Sequence, residues 1–355
     1  MAPRRGDGGY SSGYYNQDNP WRETIWLSLD GYQGRELFLA QFAFDIFSLV
    51  AFITFLIWAC TIRNRSLPLK GIMCALTSFI CSQISTIVWA SLYIADAEVM
   101  MYYMITLMLR DFFMVMGICL TFYVFWSLIH RFLGLLAPSG KPHVAVTIIH
   151  YLLFALIFVV SLSESALNIT FWVGVVIADY DLIMLPSGKL SAAIYIVYWL
   201  LSMEVIGWTF FVIKKAGSHR FVSRMPAVAL MNAAVCWFAV CFAWAVISIR
   251  YTLIVSDAWP IYLDLVRAII QFIFWTGTYT GILLCCAKWH RLGEEQSYAA
   301  PQYEAQYQPA QFPPRNTAHV PKGNYPPVQH QPYGSAPYQD YAAQPHTHSH
   351  QVSPR

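Results

Sequence analysis

Charged residues are scarce in this chain: Asp, Glu, Lys and Arg fill 12% of its 355 positions, about half the ~25% of a soluble globular protein. With 57% hydrophobic residues and a mean hydropathy of +0.46, a soluble fold could not hide its apolar surface. Strand-like alternation is also missing; the apolar residues come in long runs, which excludes an outer-membrane barrel. No CxxC pair occurs. The eight cysteines (Cys60, Cys74, Cys81, Cys119, Cys236, Cys241, Cys285 and Cys286) fall within or at the ends of apolar runs. They read as small buried apolar residues rather than a disulfide or zinc framework. The opening MAPRRGDGGYSSGYYNQDNP has no apolar stretch that could act as a cleaved signal, so the first membrane helix is expected to direct insertion. A net charge of +3 points away from nucleic acid as a partner.

Other absences narrow the chemistry. The seventh apolar run has no lysine before Lys288 at its end, so a retinal Schiff base has no anchor. Only His150 lies well inside a run, which leaves haem ligation or a membrane zinc hydrolase short of histidines. No Gly-rich phosphate loop or nucleophile elbow is present. No cofactor is expected, and the balance leans away from an enzyme. The run interiors lack proline, with Pro226 and Pro260 at helix starts, where proline is tolerated. No repeat relates runs 1–3 to runs 5–7. Both features count against a broken-helix transporter.

What is present is length. A bilayer-spanning helix needs about 20 mainly apolar residues, and seven segments qualify: 37–62, 70–94, 101–129, 144–162, 190–213, 226–249 and 260–287. The expected fold is all-α, a polytopic seven-helix membrane bundle with a disordered C-terminal tail. The apolar piece 171–178 (FWVGVVIA), bounded by Asp179 and Asp181, is too short to span and reads as part of the loop between runs four and five. Three loops, 63–70, 130–143 and 214–225, carry Lys and Arg without one acidic residue. The opposite set holds Asp96, Glu98, Glu164, Asp179, Asp181 and Asp257 against Lys189 and Arg250. The positive-inside rule then puts the N-terminus outside or lumenal and the C-terminus in the cytosol, in a plasma membrane or endomembrane. The chain divides into a short extracytoplasmic segment (1–36), the bundle (37–290) and a Pro/Gln/Tyr-rich cytosolic tail (291–355). That tail cannot bury enough apolar area to offset its ordering entropy.

Ionisable residues inside spans are functional-site hypotheses by default. Counting from the basic end places Asp45, Arg110, Asp111, Asp264 and Arg267 at one outer level, a polar ring that either locks helices together or frames a ligand or ion vestibule. Asp264 and Arg267 can also pair along their own helix. Glu204 stands apart, near the bilayer midplane. A lone carboxylate there is expected to be protonated unless paired, and His150 is the nearest deep titratable partner. Ser78, Ser82, Ser85, Gln83 and Thr86 form a polar stripe that lines a cavity or glues helices. Gly277 and Gly281 make a GxxxG pattern, taken first as packing within the bundle. Asn168-Ile-Thr170 on an outer loop is a glycosylation candidate. Cys285 and Cys286, beside Lys288 and Arg291, are palmitoylation candidates.

The topology and tail over residues 37–355 resemble G-protein-coupled-receptor-like proteins, and are similar to orphan seven-span integral membrane proteins of filamentous fungi. The third run ends in SLIHRF, not in the acidic-Arg-aromatic motif of the largest receptor family, and the seventh lacks Asn-Pro-x-x-Tyr. The resemblance implies a receptor-like or sensory protein that takes a small-molecule or lipid ligand and recruits cytosolic proteins through its tail. Two alternatives stay open: a channel or proton-coupled transporter using the outer ring and Glu204, and a small intramembrane enzyme with Glu204 as acid.

Overall fold

Among the described residues, seven helices long and apolar enough to cross a membrane follow one another. They are α1 (Arg35–Thr61), α2 (Leu69–Ile94), α3 (Met104–Leu136), α4 (Val144–Ile177), α5 (Asp181–Ser218), α6 (Met225–Ser248) and α7 (Leu263–Ala287). The computed structural model describes residues 20–29, 34–62, 67–137, 144–177, 181–218, 224–254 and 260–289, with side chains of 181–187 and 218 excepted. The protein is a multi-pass, all-α membrane protein. The expected disordered tail, 291–355, lies outside the described residues.

The interiors of the apolar runs are proline-free, which lets the helices persist through them; Pro186 falls in α5 ahead of its run. Pro226 sits in the first turn of α6, where its missing N–H costs no hydrogen bond. Each helix packs on the next, and α1 closes on α7. The most enclosed helix is α3, which touches α2, α4 and α5. In α4 the opposite holds: Ile148, Ile149, Leu152, Leu156 and Val159 are all exposed, a costly face in water and an ordinary one against lipid tails.

Small residues set the closest approaches. A Cβ at Gly281 would lie 2.7 Å from the Ala229 carbonyl oxygen, and one at Gly277 would lie 2.6 Å from the Cys236 sulfur. The GxxxG pattern therefore serves packing of α7 on α6. A short ribbon joins the chain's start to the bundle: β1 (Thr24–Trp26) pairs antiparallel with β2 (Glu98–Met100). Ser28 donates to Asp96 Oδ1 at 2.7 Å. Ile25, Leu27 and Leu29 are buried with Phe38, Tyr93 and Met104 in a small core separate from the main one. We call this the β end of the bundle, and the opposite one, where the Lys/Arg-rich loops fall, the basic end.

Several expectations are corrected. The piece 171–178 is not a loop element: α4 runs through it to Ile177, because Ser161, Glu164, Ser165 and Asn168 keep one polar face at i, i+3, i+4, i+7 spacing. Glu164 is therefore a helix residue, 3% exposed. Asn168 also lies within α4, and the sequon's Thr170 hydroxyl bonds back to the Ala166 carbonyl at 2.8 Å. His130 and Arg131 belong to α3 rather than to a loop. Cys285 and Cys286 are 0% and 2% exposed, packed into the core as the reading of the cysteines as small apolar residues expects. Conversely, Cys60 and Cys74 are exposed rather than buried.

Candidate functional site

Two polar clusters interrupt the apolar interior. The larger lines a cavity of about 440 Å³ at the β end, whose wall includes all five residues of the expected ring: Asp45, Arg110, Asp111, Asp264 and Arg267. Glu164, Asn168, Gln83, Thr86, Ser191 and Tyr195 join them, with Phe38 and Trp89 among the apolar lining.

Its charges are partly matched. On α3, Arg110 bonds the adjacent Asp111 through Nε and Nη2, each 2.8 Å from Oδ1. The other Asp111 oxygen accepts from the Trp172 indole of α4 at 3.1 Å. Glu164 accepts from the Tyr198 hydroxyl of α5 at 3.4 Å, and that hydroxyl also meets Ser161 Oγ at 2.7 Å. Arg267 of α7 and Tyr195 of α5 share the cavity wall with Glu164. Asp45 of α1, 9% exposed, has Arg110 as the one opposite charge acting on it among the described residues, and that guanidinium already serves Asp111.

The α2 stripe divides by direction. Ser78, Ser85 and Thr86 bond back to carbonyls one turn earlier in their own helix. Ser82 reaches across to the Arg110 carbonyl at 2.9 Å and so fixes α3 at the height of the ring. Gln83 lines the cavity at 3% exposure, and its Oε1 has no hydrogen-bond partner among the described residues. One turn deeper, Phe52, Phe79 and Trp275 form an aromatic layer: Phe52 and Phe79 stack with ring centroids 5.2 Å apart, and Trp275 lies tilted 5.0 Å from Phe79.

The second cluster lies on the other side of that layer and contains Glu204, which is not part of the ring. His150 Nε2 is 2.8 Å from Glu204 Oε1, and the Trp126 indole donates to Oε2 at 2.9 Å. His150 Nδ1 meets His130 Nε2 at 2.6 Å. Glu204 is thus not a lone acid, and His150 is its partner as expected. The second histidine was hidden by treating residues after 129 as loop. The i, i+4 spacing of Trp126 and His130, carried onward in register, would have revealed it. Likewise, helical periodicity past 162 would have exposed Glu164. No sequence pattern marked Tyr195.

Among the described residues no three His, Cys, Asp or Glu side chains converge to hold a metal ion. Fold and polar clusters together define a seven-helix polytopic membrane protein with a charged cavity at one end. Comparison with family models, with curated proteins and with solved structures finds no match for the chain.

Proposed function

We propose that this chain is a receptor-like or sensory membrane protein that accepts a small ligand in the β-end cavity, facing outside or lumen, and recruits cytosolic partners through its tail. The cavity itself carries the reading. Small-molecule sites are concave spaces of roughly 300–1,000 Å³ with a few convergent polar groups, and about 440 Å³ lined from α1, α2, α3, α4, α5 and α7 fits that description. Gln83 brings a buried amide oxygen to its wall, a polar group of the kind that orients a ligand. The charged lining favours a small polar ligand over a lipid. The Lys/Arg bias of the loops at the opposite end supports an exoplasmic cavity.

A cavity-filling variant tests this reading. Ala268, 6% exposed, is on the cavity wall, and Ala268→Trp occupies the space. In a thermal-stability screen of the purified protein against small polar compounds, stabilising compounds should lose their effect in the filled variant. Hits that act equally on both proteins, or no hits at all, contradict the proposal.

A second reading, proton-coupled transport, is favoured by one observation: the hydrogen-bonded chain His130–His150–Glu204. Linked imidazoles and a carboxylate can hand on a proton. Proton flux into vesicles that vanishes in Glu204→Gln would support transport over reception.

A further inference from the structure

We propose that the seam between α3, α4 and α5 is a proton path from the basic end to the β-end cavity, held shut by Phe122. This rests on the reading of the His130–His150–Glu204 chain as a proton carrier, and adds its exit and its gate. The inner half has a direction. With His150 Nε2–H donating to Glu204 Oε1 at 2.8 Å, a neutral His150 accepts at Nδ1. The 2.6 Å contact there is then a bond donated by His130 Nε2–H. His130 is half-buried, two turns before the end of α3. A proton taken up at His130 Nδ1 is matched by one passed from its Nε2 to His150, and by one passed from His150 Nε2 to Glu204. One proton enters, and one arrives on the carboxylate.

The outer half points the same way. The Tyr198 hydroxyl donates to Glu164 Oε2 at 3.4 Å, so its oxygen accepts from the Ser161 hydroxyl at 2.7 Å. Ser161 in turn accepts from the Cys119 thiol at 3.1 Å. Glu164 lies on the cavity wall with Asp111 and Arg267. A proton delivered to Ser161 is thus matched by one released from Tyr198 to Glu164, at the cavity. Both half-chains run from the basic end toward the β end, the shared direction that a single path requires. Phe122 separates them. It lies one turn from Cys119 and one turn from Trp126 on α3. Its ring centroid is 6.2 Å from that of Tyr198 and 5.7 Å from that of Trp126, whose indole holds Glu204. Along α5, Tyr198 and Glu204 are six residues apart, about 9 Å at ~1.5 Å per residue. Phe122 and Ile157, both 0% exposed, fill that interval with hydrocarbon. A dry apolar constriction stops conduction, and a space with polar groups at both ends takes up water once its filler is removed.

The test opens the gate and then cuts the path. The full chain is reconstituted in liposomes that enclose a pH-reporting dye, and proton movement is driven by a potassium diffusion potential set with valinomycin. Folding of every variant is checked by its melting temperature. Phe122→Ala should raise proton flux over the parent by roughly fivefold or more. Ile157→Ala removes the other filler and carries the same expectation where Phe122→Ala does not fold. Adding Tyr198→Phe or Glu204→Gln to the opened chain should return flux to that of protein-free vesicles. Folded gate variants that conduct no more than a conducting parent overturn the gate. A raised flux indifferent to Tyr198→Phe runs elsewhere and overturns the path. Parent flux lost in Glu204→Gln but kept in Tyr198→Phe overturns the exit through Tyr198, while Glu204 remains a proton carrier. No flux above protein-free vesicles in any folded chain overturns the path and the proton-carrier reading together.

Discussion

Glu204 shows how a single residue changes meaning once its neighbours are known. A carboxyl group in an apolar run is costly alone, but here both oxygens are occupied, one by His150 and one by Trp126. Interhelical hydrogen bonds in membranes contribute about 0.6–2 kcal/mol. Glu204→Leu removes the acceptor from two donors and should lower stability by roughly that amount, measured as the melting temperature in detergent. Glu204→Gln keeps one acceptor and a similar shape, so it should melt near the parent. If instead Glu204→Gln destabilises as much as Glu204→Leu, the negative charge is what holds α3, α4 and α5 together. If Glu204→Gln is stable but abolishes proton flux, the transport reading prevails over the receptor one. Gln83 is the counterpart at the β end, where an acceptor lacks a donor among the described residues.

At the scale of helices, glycine positions separate packing from permissiveness. Gly281 faces the α6 backbone so closely that any Cβ must displace it, whereas a Cβ at Gly207 meets nothing within 4 Å. Gly281→Leu should therefore destabilise by at least the 1–3 kcal/mol typical of overpacking. Gly207→Ala should be neutral or stabilising by about 0.4–1 kcal/mol. Equal responses at the two sites would mean that α6 and α7 do not approach as described. Much of the helix layout was legible in the sequence, because apolar runs of 19 or more residues have few ways to satisfy their backbone in lipid except as helices. The ends were less legible. Hydropathy stops at the first acidic residue, so α4 was cut at 162 and Glu164 assigned to a loop, although its periodicity continued to Asn168. The cysteines divide: Cys285 and Cys286 are buried as expected, whereas Cys60 and Cys74 are exposed, because which face of a helix points inward depends on its neighbours and no local pattern encodes it.

For the whole molecule, level proved easier to infer than contact. Counting residues at ~1.5 Å each was enough to group Asp45, Arg110, Asp111, Asp264 and Arg267, and all five line one cavity. It could not tell that Arg110 binds its own neighbour Asp111, nor that Tyr195 and Glu164 complete the wall, because those depend on helix rotation. The tail belongs to this scale as well. Residues 293–355 contain no Leu, Ile or Met, so truncation after 295 should leave the melting temperature of the bundle unchanged. A large drop on truncation would show that the tail contributes to its stability.

The central claim, that the β-end cavity is a site reached from the exoplasmic side, is tested most directly at Asn168. This residue lies nine positions before the end of α4, about 13 Å along the helix at ~1.5 Å per residue, and it is on the cavity wall. Asn168→Cys in intact cells, or in sealed right-side-out vesicles, is exposed to a membrane-impermeant thiol reagent. The account predicts labelling above the parent background, slowed by Ala268→Trp in the same chain. No labelling from outside, together with labelling once the membrane is opened or inverted, would contradict it.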